Sequence, residues 1–486
     1  MFIRKIKTRN STCFQIGEKR YGRFKLVKHV GCSQSEEEIE ALRLKAQRVL
    51  KEILFQDQQV LFPDSVPSLK AQLLSWHITG YHHSFGRVYE RIGFPSSLLK
   101  DLVIARIVYP KSKAATVRYL SRELGIFYDL DRIYRFMDHL DKNKLTKIAF
   151  DFVRAKRDSI SLVFYDVTTL HFETDLEDNF RQKGFSKNHR GDMPQVLVGL
   201  FVDEEGFPFD FSLFEGNTFE GHTFPKAILD LTVKYSLTNL TVVADAGMLS
   251  EDNLKFLDKQ HFGYIVGARL KNMEDKITAE IITHDYAKEN IKEFKLKDQR
   301  LIVEFSPIRA QKNEWERNKI IVRLKRRIAQ RCQVVRRSKY LSLAPGGKVT
   351  GIDNAKIQQD KRFDGLKGFL INASNTAQAV EIIGQYRNLW KVEKAFRMSK
   401  NDLKERPVFH QNLKRIKSHL LLCFVALLVM KETEKILNSR KYSFTMAIEV
   451  LGKIGEGEVR VGSVRLPMDS ELTDETQAIL KLFEGY

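Results

Sequence analysis

Cysteine is scarce and scattered. The chain has four, Cys13, Cys32, Cys332 and Cys423, all far apart and with no CxxC pair, which disfavours a zinc ribbon or finger. The count fits a reducing compartment and says nothing about catalysis. Long apolar runs are missing too. The longest, "LLLCFVALLVM" from Leu420 to Met430, is too short to cross a bilayer, for which about 20 residues are needed. The N-terminal "MFIRKIKTRN" is basic but has no apolar segment after it, so a secretory signal is not expected. No internal repeat or low-complexity stretch is evident. Acidic residues are the other shortage: 61 Asp and Glu stand against 81 Lys and Arg, for a net charge of +20. A basic surplus of this size points to a polyanionic partner, most simply nucleic acid. Together these features suggest a cytoplasmic, nucleoid-associated protein with no membrane partner.

A core is present. Hydrophobic residues make up 43% and charged residues 29% of the 486, ordinary values for a globular chain, and the length suits about three domains at roughly 150 residues each. Residues 1–60 read as a β-hairpin and a helix. "CFQIGEKRYGRFKLVKHV" has a turn signal at Gly17-Glu18-Lys19, and "SQSEEEIEALRLKAQRVLKEILF" opens with a Ser cap and an acidic first turn. Residues 61–155 look helical, in short pieces broken near Pro95 and Pro110, and could form a DNA-binding unit. Residues 156–267 change texture to three strands, a helix, and then alternating strand and helix, the order of a mixed sheet with helices on its faces. Residues 268–375 combine strand-like stretches ("RLIVEFS", "KIIVRLK", "GFLINAS") with a basic segment: between Lys312 and Lys339 lie eleven Lys or Arg and two Glu. Residues 376–438 are helical again, and 439–486 offer no motif.

One residue is out of place in this pattern. In "SLVFYDVTTLHFET" a carboxylate, Asp166, interrupts a strand that is otherwise apolar or β-branched. Burying an unpaired charge is costly, so such a residue faces a cleft, a cation or a metal. Asp245 repeats the situation at the end of "LTVVAD", before Gly247. Ligand sites in open α/β sheets form at the carboxyl ends of strands. Two adjacent carboxylates repel unless a cation lies between them, and Mg²⁺ with oxygen ligands is suited to that place. The third carboxylate is Glu393 in "YRNLWKVEKAFRMSK". On one continuous helix Tyr386, Glu393 and Lys400 fall within about 20° of one line, with Arg397 on the same face and Leu389, Trp390 and Phe396 beside it to pack on the sheet. His77, His82 and His83 read as surface or core histidines rather than a metal cluster; His171 and His222 suit a phosphate contact or packing equally. The run "RLKRRIAQR", with Arg323, Lys325, Arg326 and Arg327, reads as a surface for DNA backbone.

The stretches "YDVTTLHFE", "GFSKNHRGDMPQVLVGLFVDEEGFPFDFSLFEGNTFEGHTF", "VVADAGMLSEDNL" and "YRNLWKVEKAFRMSKNDLKERPVFH" together resemble DDE transposases of the insertion-sequence IS4 group, closest to its IS1634-like branch. The resemblance implies an α/β fold: a ribonuclease-H-like mixed-sheet catalytic core (156–267 and 376–438), a β-rich basic insertion (268–375) and a mainly helical N-terminal region. It implies Asp166, Asp245 and Glu393 as the catalytic, metal-binding triad with two Mg²⁺ or Mn²⁺ ions. The expected reaction is cleavage at element ends and transfer of the freed 3′-OH into target DNA, by a homodimer on DNA whose partners are the terminal inverted repeats and the target. A catalytically inactive DNA-binding derivative and a stand-alone metal-dependent nuclease are the competing readings. The family's helix signature is Tyr, two residues, Arg, three residues, Glu, six residues, Lys. Tyr386, Glu393 and Lys400 match it, while its Arg position holds Leu389. Arg397 is expected to supply the missing phosphate contact; Arg387 lies about a quarter turn off the stripe.

Overall fold

The computed structural model describes residues 1–8, 11–20, 22–61, 71–95, 97–157, 159–174, 176–184, 193–248, 250–330, 339–345, 349–406, 408–440 and 442–485. They form two compact units, residues 1–75 with 457–468 and residues 76–456 with 469–486.

In the first unit β1 (Phe2–Lys7), β2 (Thr12–Arg20) and β3 (Arg23–Ser33) make an antiparallel sheet in that order, and α1 (Glu36–Leu61) packs on β2 and β3. Phe14 and Ile16 of β2 and Ala46 of α1 are its buried apolar side chains. The hairpin turn is not at Gly17-Glu18-Lys19. Gly17 lies within β2, where the register shifts. The reversal comes between Arg20 and Arg23, where Gly22 has φ +78°, a left-handed conformation that glycine adopts at little cost. The cysteines are not all far apart in space. Nineteen positions separate Cys13 from Cys32 in sequence, but hairpin register sets them directly opposite on β2 and β3, and they form a disulfide. Cys423 is a buried free thiol, and Cys332 lies outside the described residues. The remaining strands, β4 (Ala71–Ile78), β15 (Gly455–Val461) and β16 (Val464–Asp469), form a sheet of order β16-β15-β4.

The second unit begins with a π-helical turn (His82–Gly86) and α2 (Arg87–Ile92), α3 (Ser97–Val108), α4 (Lys113–Glu123), α5 (Leu130–Met137) and α6 (Lys142–Arg154). The breaks follow local chemistry. Gly93, at φ +93°, ends α2, Ser112 caps α4 by accepting from the Ala115 N–H, and Asp141 caps α6 by accepting from Asn143 and Lys144.

A mixed sheet follows. Its members are β5 (Leu162–His171), β6 (Gln195–Val202), β7 (Pro208–Glu215), β8 (Thr241–Ala244), β9 (Gly263–Ala268), β10 (Ile291–Lys295), β11 (Gln299–Phe305) and β14 (Leu366–Asn372). Their order is β10-β11-β14-β9-β8-β5-β6-β7. β5, β6 and β7 form an antiparallel meander. β8 and β9 add to β5 in parallel, reached through α7 (Glu220–Tyr235) and α8 (Glu251–Lys259). Residues 268–375 do not stand apart from this sheet, because β14 pairs with β9 and carries β11 and β10 beyond it. α9 (Asp275–Thr283), the short pair β12 (Leu341–Leu343) and β13 (Val349–Ile352), and α11 (Asn354–Lys361) complete the region.

"KIIVRLK", read as strand-like, lies inside α10 (Pro307–Ala329). Ser306 caps this helix, Pro307 starts it, and no Gly or Pro interrupts it afterwards. Ile321, Leu324 and Ile328 share one face and pack with Tyr340 and Leu341, so the apolar spacing is that of a helix. The basic segment up to Gln330 is therefore helical; 331–338 lie outside the described residues.

The chain then forms α12 (Ala379–Arg387), α13 (Trp390–Arg397), a π-helical turn (Met398–Asp402), α14 (Leu413–Asn438), α15 (Phe444–Leu451) and, at the end, α16 (Asp474–Glu484). α14 explains the apolar run. Leu420 to Met430 are all buried, because the helix is surrounded by α2, α3, α5, α6, β7, α15 and α16. Among the described residues no helix is long and apolar enough to cross a membrane.

Candidate active site

Strand register accounts for the position of Asp166. Each paired residue of β5 faces the β8 residue 79 positions later, as in Phe164 opposite Val243, and the same offset carries Asp166 to Asp245. Both carboxylates thus stand at the carboxyl end of the parallel pair, on strands about 4.8 Å apart. Asp166 is half-buried and Asp245 exposed. Asp166 Oδ1 accepts from the Val167 N–H at 2.8 Å. Two residues further along β5, and so on the same face, Thr168 Oγ1 accepts from Lys400 Nζ.

The helical segment from α12 onward supplies the remaining groups, though not as one regular helix. Between α12 and α13 the N–H of Leu389 bonds Tyr386 O, that of Lys391 bonds Asn388 O, and that of Val392 bonds Leu389 O. These three-residue spacings are tighter than α-helix, and a π turn follows Arg397. Tyr386 is buried and donates its hydroxyl to Asp245 Oδ1 at 3.3 Å. Its ring meets Phe369 edge-on at 4.9 Å, and Lys367 Nζ lies 4.3 Å from the ring centre. Gly267 on β9 admits this arrangement, since a Cβ there would stand 2.7 Å from the hydroxyl. Burial first, and then the Asp245 charge, raises the Tyr386 pKa; Glu393 adds to the rise and Arg309 opposes it. The phenol therefore stays protonated, a donor placed among the fields of Asp245, Arg309 and Glu393.

Glu393 is exposed on α13, a helix that packs on β5 and β6. Among the described residues no group of three or more His, Cys, Asp or Glu side chains is gathered closely enough to hold a metal ion. The three carboxylates expected to bind metal, Asp166, Asp245 and Glu393, do not make such a group here; an all-carboxylate set is of the kind that suits Mg²⁺ or Mn²⁺. Arg397 is exposed. Leu389 is not on an exposed face. It is 6% exposed and part of the core, because the tight turn at Asn388–Leu389 rotates it inward. Trp390, expected to pack on the sheet, is instead 51% exposed. Arg387 reaches Glu304 of β11 and pairs with it.

Two cations were not evident in the sequence. A cavity of about 450 Å³ opens beside Asp245 and Tyr386, lined among others by Lys367 of β14 and Arg309 of α10. Other cations there are paired: Lys271 and Lys339 with Asp360, and Arg317 with Asp364 through two bonds of 2.6 and 2.5 Å. Among the described residues Lys367 and Arg309 have no carboxylate partner. Burial lowers the Lys367 pKa, and Arg309 lowers it further, while Asp245 and Glu304 act in the other direction. No motif marks these two residues, which are 58 positions apart in sequence and meet only because β14 and α10 border the same cavity.

On α10, Arg323, Lys325 and Arg326 are exposed and Arg327 half-buried. The histidines do not cluster. His82 bonds Asp101 at 2.9 Å, His77 Nδ1 is buried with no hydrogen-bond partner among the described residues, and His83 is exposed. His222 meets the Phe219 ring at 5.4 Å, and His171 is half-buried at the end of β5. Part of the motif after Lys183, residues 185–192, lies outside the described residues.

Among solved structures the chain is similar to a piggyBac transposase synaptic complex with hairpin DNA determined by cryo-EM, at 10% identity and TM-score 0.40 over 77% of this chain and 76% of that one. It is also similar to a Mos1 transposase paired-end complex with the left transposon end, at 9% identity and TM-score 0.16 over 35% of this chain and 60% of that one. A pre-cleavage Mos1 transpososome gives 10% identity and TM-score 0.16 over the same shares. No curated protein matches. Residues 157–429 match the family described as "Transposase DDE domain". The match covers more than half of the chain and includes both strand-end aspartates and the segment bearing Glu393, and the protein belongs to the transposase DDE domain family, polynucleotidyl transferases that act on DNA.

Proposed function

We propose that the protein cleaves DNA at the ends of an insertion sequence and transfers the freed 3′-OH into target DNA. The observation that supports this most is the parallel register of β5 and β8, whose offset, continued past their last pair, carries Asp166 to Asp245, with Tyr386 bonded to the second. Asp166, Asp245 and Glu393 are the proposed ligands of divalent ions, two Mg²⁺ or Mn²⁺. When bound, such ions supply an activated attacking oxygen and charge stabilisation of the leaving one. Asp166, within β5, and Asp245, just after β8, are mounted on adjacent strands, a rigid base, while the exposed Glu393 has freedom to turn towards them. Tyr386 fixes one oxygen of Asp245 by donating to it. Lys400, anchored on Thr168, and Arg309 and Lys367, without carboxylate partners among the described residues, are the proposed phosphate contacts near the site. Arg397 and the exposed side of α10, with Arg323, Lys325, Arg326 and Arg327, extend the DNA surface outward.

The strand order β7-β6-β5-β8-β9, an antiparallel meander followed by two parallel strands, supports a ribonuclease-H-like core. The sequence motifs support the IS4 group and its IS1634-like branch. The protein is proposed to work on DNA in the cytoplasm, at the nucleoid, as a homodimer bridging two terminal inverted repeats. A gel assay with labelled element ends, target DNA and Mg²⁺ tests the reading. Cleaved and joined products are expected, and Asp166→Asn, Asp245→Asn and Glu393→Gln should each abolish both while retaining end binding. Cleavage without joining indicates a nuclease, binding alone an inactive derivative, and full activity in any one variant removes that residue from the site.

A further inference from the structure

A second basic cavity, of about 410 Å³, is enclosed by the end of α3, the start of α4, the segment before α14, and α14 itself. Its charge has one sign. Arg106, Lys111, Lys113, Lys404 and Arg406 line it, and among the described residues no carboxylate does. The buried carboxyl of Glu405 does not line it: Ser399 donates to that carboxyl at 2.6 Å, and burial raises its pKa against the opposing pull of Ser399, Lys400, Arg106 and Arg406.

Two of the cations are deeply buried. Arg106 is 6% and Lys113 3% exposed. Arg106 is fixed through neutral groups: it donates to Leu403 O and to His419 Nδ1, each at 3.4 Å. His419 Nε2 lies 3.3 Å from Glu405 O, so the ring proton is on Nε2 and Nδ1 accepts from Arg106. The guanidinium is positioned, and among the described residues it has no ion-pair partner, although the Glu405 carboxyl feels its charge. Lys113 has no hydrogen-bond or ion-pair partner among the described residues. Desolvating an ammonium without a partner costs several kcal/mol, so a purely structural role would favour methionine or leucine here.

The first turn of α4 also faces this space. Ser112, Lys113, Ala114 and Ala115 line it; the Ala115 N–H is taken up by the Ser112 cap, which leaves the N–H groups of Lys113 and Ala114 with no partner within the helix. Lys404, on the rim, is a non-glycine residue held at φ +45°. Strain of this kind persists where the surrounding structure fixes it, often at ligand sites.

We propose that this cavity binds a phosphate group, anchored by Lys113 and Arg106 and by the first turn of α4. The phosphate belongs either to a DNA strand or to a small phosphorylated molecule; the chemistry of recognition is the same. The proposal does not depend on the reaction assigned to Asp166 and Asp245.

Thermal unfolding of the full chain tests it, with inorganic phosphate compared against chloride at equal ionic strength, and with a short single-stranded oligonucleotide and a nucleoside triphosphate as further probes. Saturating phosphate should raise the midpoint by about 2–4 °C, the scale of ligand linkage in a chain of this size. Lys113→Met should lose that rise while itself unfolding at a higher temperature than wild type in chloride. Lys404→Ala, at an exposed position, should reduce the rise and keeps the test open if the buried variant fails to fold. Asp166→Asn should keep it, which separates this site from the catalytic one. The source is a DNA strand if the Lys113-dependent rise appears with oligonucleotide at micromolar concentration, and a small molecule if it appears with the triphosphate but not the oligonucleotide. The proposal is overturned if no probe raises the wild-type midpoint, or if the rise is unchanged in Lys404→Ala and in any folded Lys113→Met protein.

Discussion

The Tyr386 hydroxyl donates to Asp245 Oδ1 at 3.3 Å, joining α12 to the end of β8. The bond holds one carboxylate oxygen of a residue that lines the cavity. Tyr386→Phe should lower DNA cleavage about five- to tenfold, the equivalent of one hydrogen bond at ~1 kcal/mol, with end binding within twofold of wild type. Gly267→Ala, which pushes a methyl group against the same hydroxyl, should lower cleavage further. Titration of cleavage and of binding in parallel checks this; equal losses in both would assign Tyr386 to DNA affinity instead.

Arg309 and Lys367 border Asp245 without a carboxylate partner, whereas Arg387 is 64% exposed and paired with Glu304. Arg309→Ala and Lys367→Ala should each reduce cleavage at element ends by tenfold or more, and Arg387→Ala by less than threefold. Cleavage rates at saturating DNA decide it, and a dominant Arg387 effect would move the phosphate grip to the outer face.

Leu389 occupies the signature's arginine position but belongs to the core. Leu389→Arg should therefore not compensate for the phosphate grip that Arg397→Ala removes. It should destabilise the protein by about 3 kcal/mol or more, as expected for an unpaired buried charge, seen as a lower urea midpoint. Recovery of cleavage in the double variant would place residue 389 at the DNA after all.

The α10 surface makes a separate prediction. Neutralising Arg323, Lys325, Arg326 and Arg327 together should weaken binding to all duplexes alike and flatten its salt dependence, by a slope of about 0.9 for each phosphate no longer neutralised. Filter binding from low to moderate salt measures the slope; an unchanged one means that this side of the helix faces solvent.

Burial, and then Arg106, lowers the Lys113 pKa from 10.5 to about 7. Between those values the unfolded chain holds the proton and the folded chain does not. The wild type should therefore gain stability relative to Lys113→Met as pH rises through this window, by about 1.4 kcal/mol per unit. Below pH 7 the difference should be flat, with the cost fully present. Urea unfolding of both proteins in phosphate-free buffers at pH 6, 8 and 9 measures it, and a gap independent of pH would mean that Lys113 is solvated in the folded state.

Features under local chemical control were legible in the chain. A charge inside an apolar strand marked Asp166, and a strand ending in Asp and Gly marked Asp245, because a strand's apolar residues and its turn are consecutive in the chain. Ser112, Asp141 and Ser306 begin their helices for equally local reasons. Register, burial and crossing emerged only on folding. The pairing of Cys13 with Cys32 depends on where the hairpin turns. The helical state of "KIIVRLK" depends on a distant Tyr340 and Leu341 to cover its apolar face, against the strand preference of its β-branched residues. The inward rotation of Leu389 depends on a tightened turn that no residue type announces. Lys367 and Arg309 border one cavity with Asp245, and Lys113 borders another with Arg106, because sheet order and helix packing bring together residues that the sequence leaves apart. Propensity acts over a few residues, whereas the position of a charge in a folded protein is set by everything packed around it.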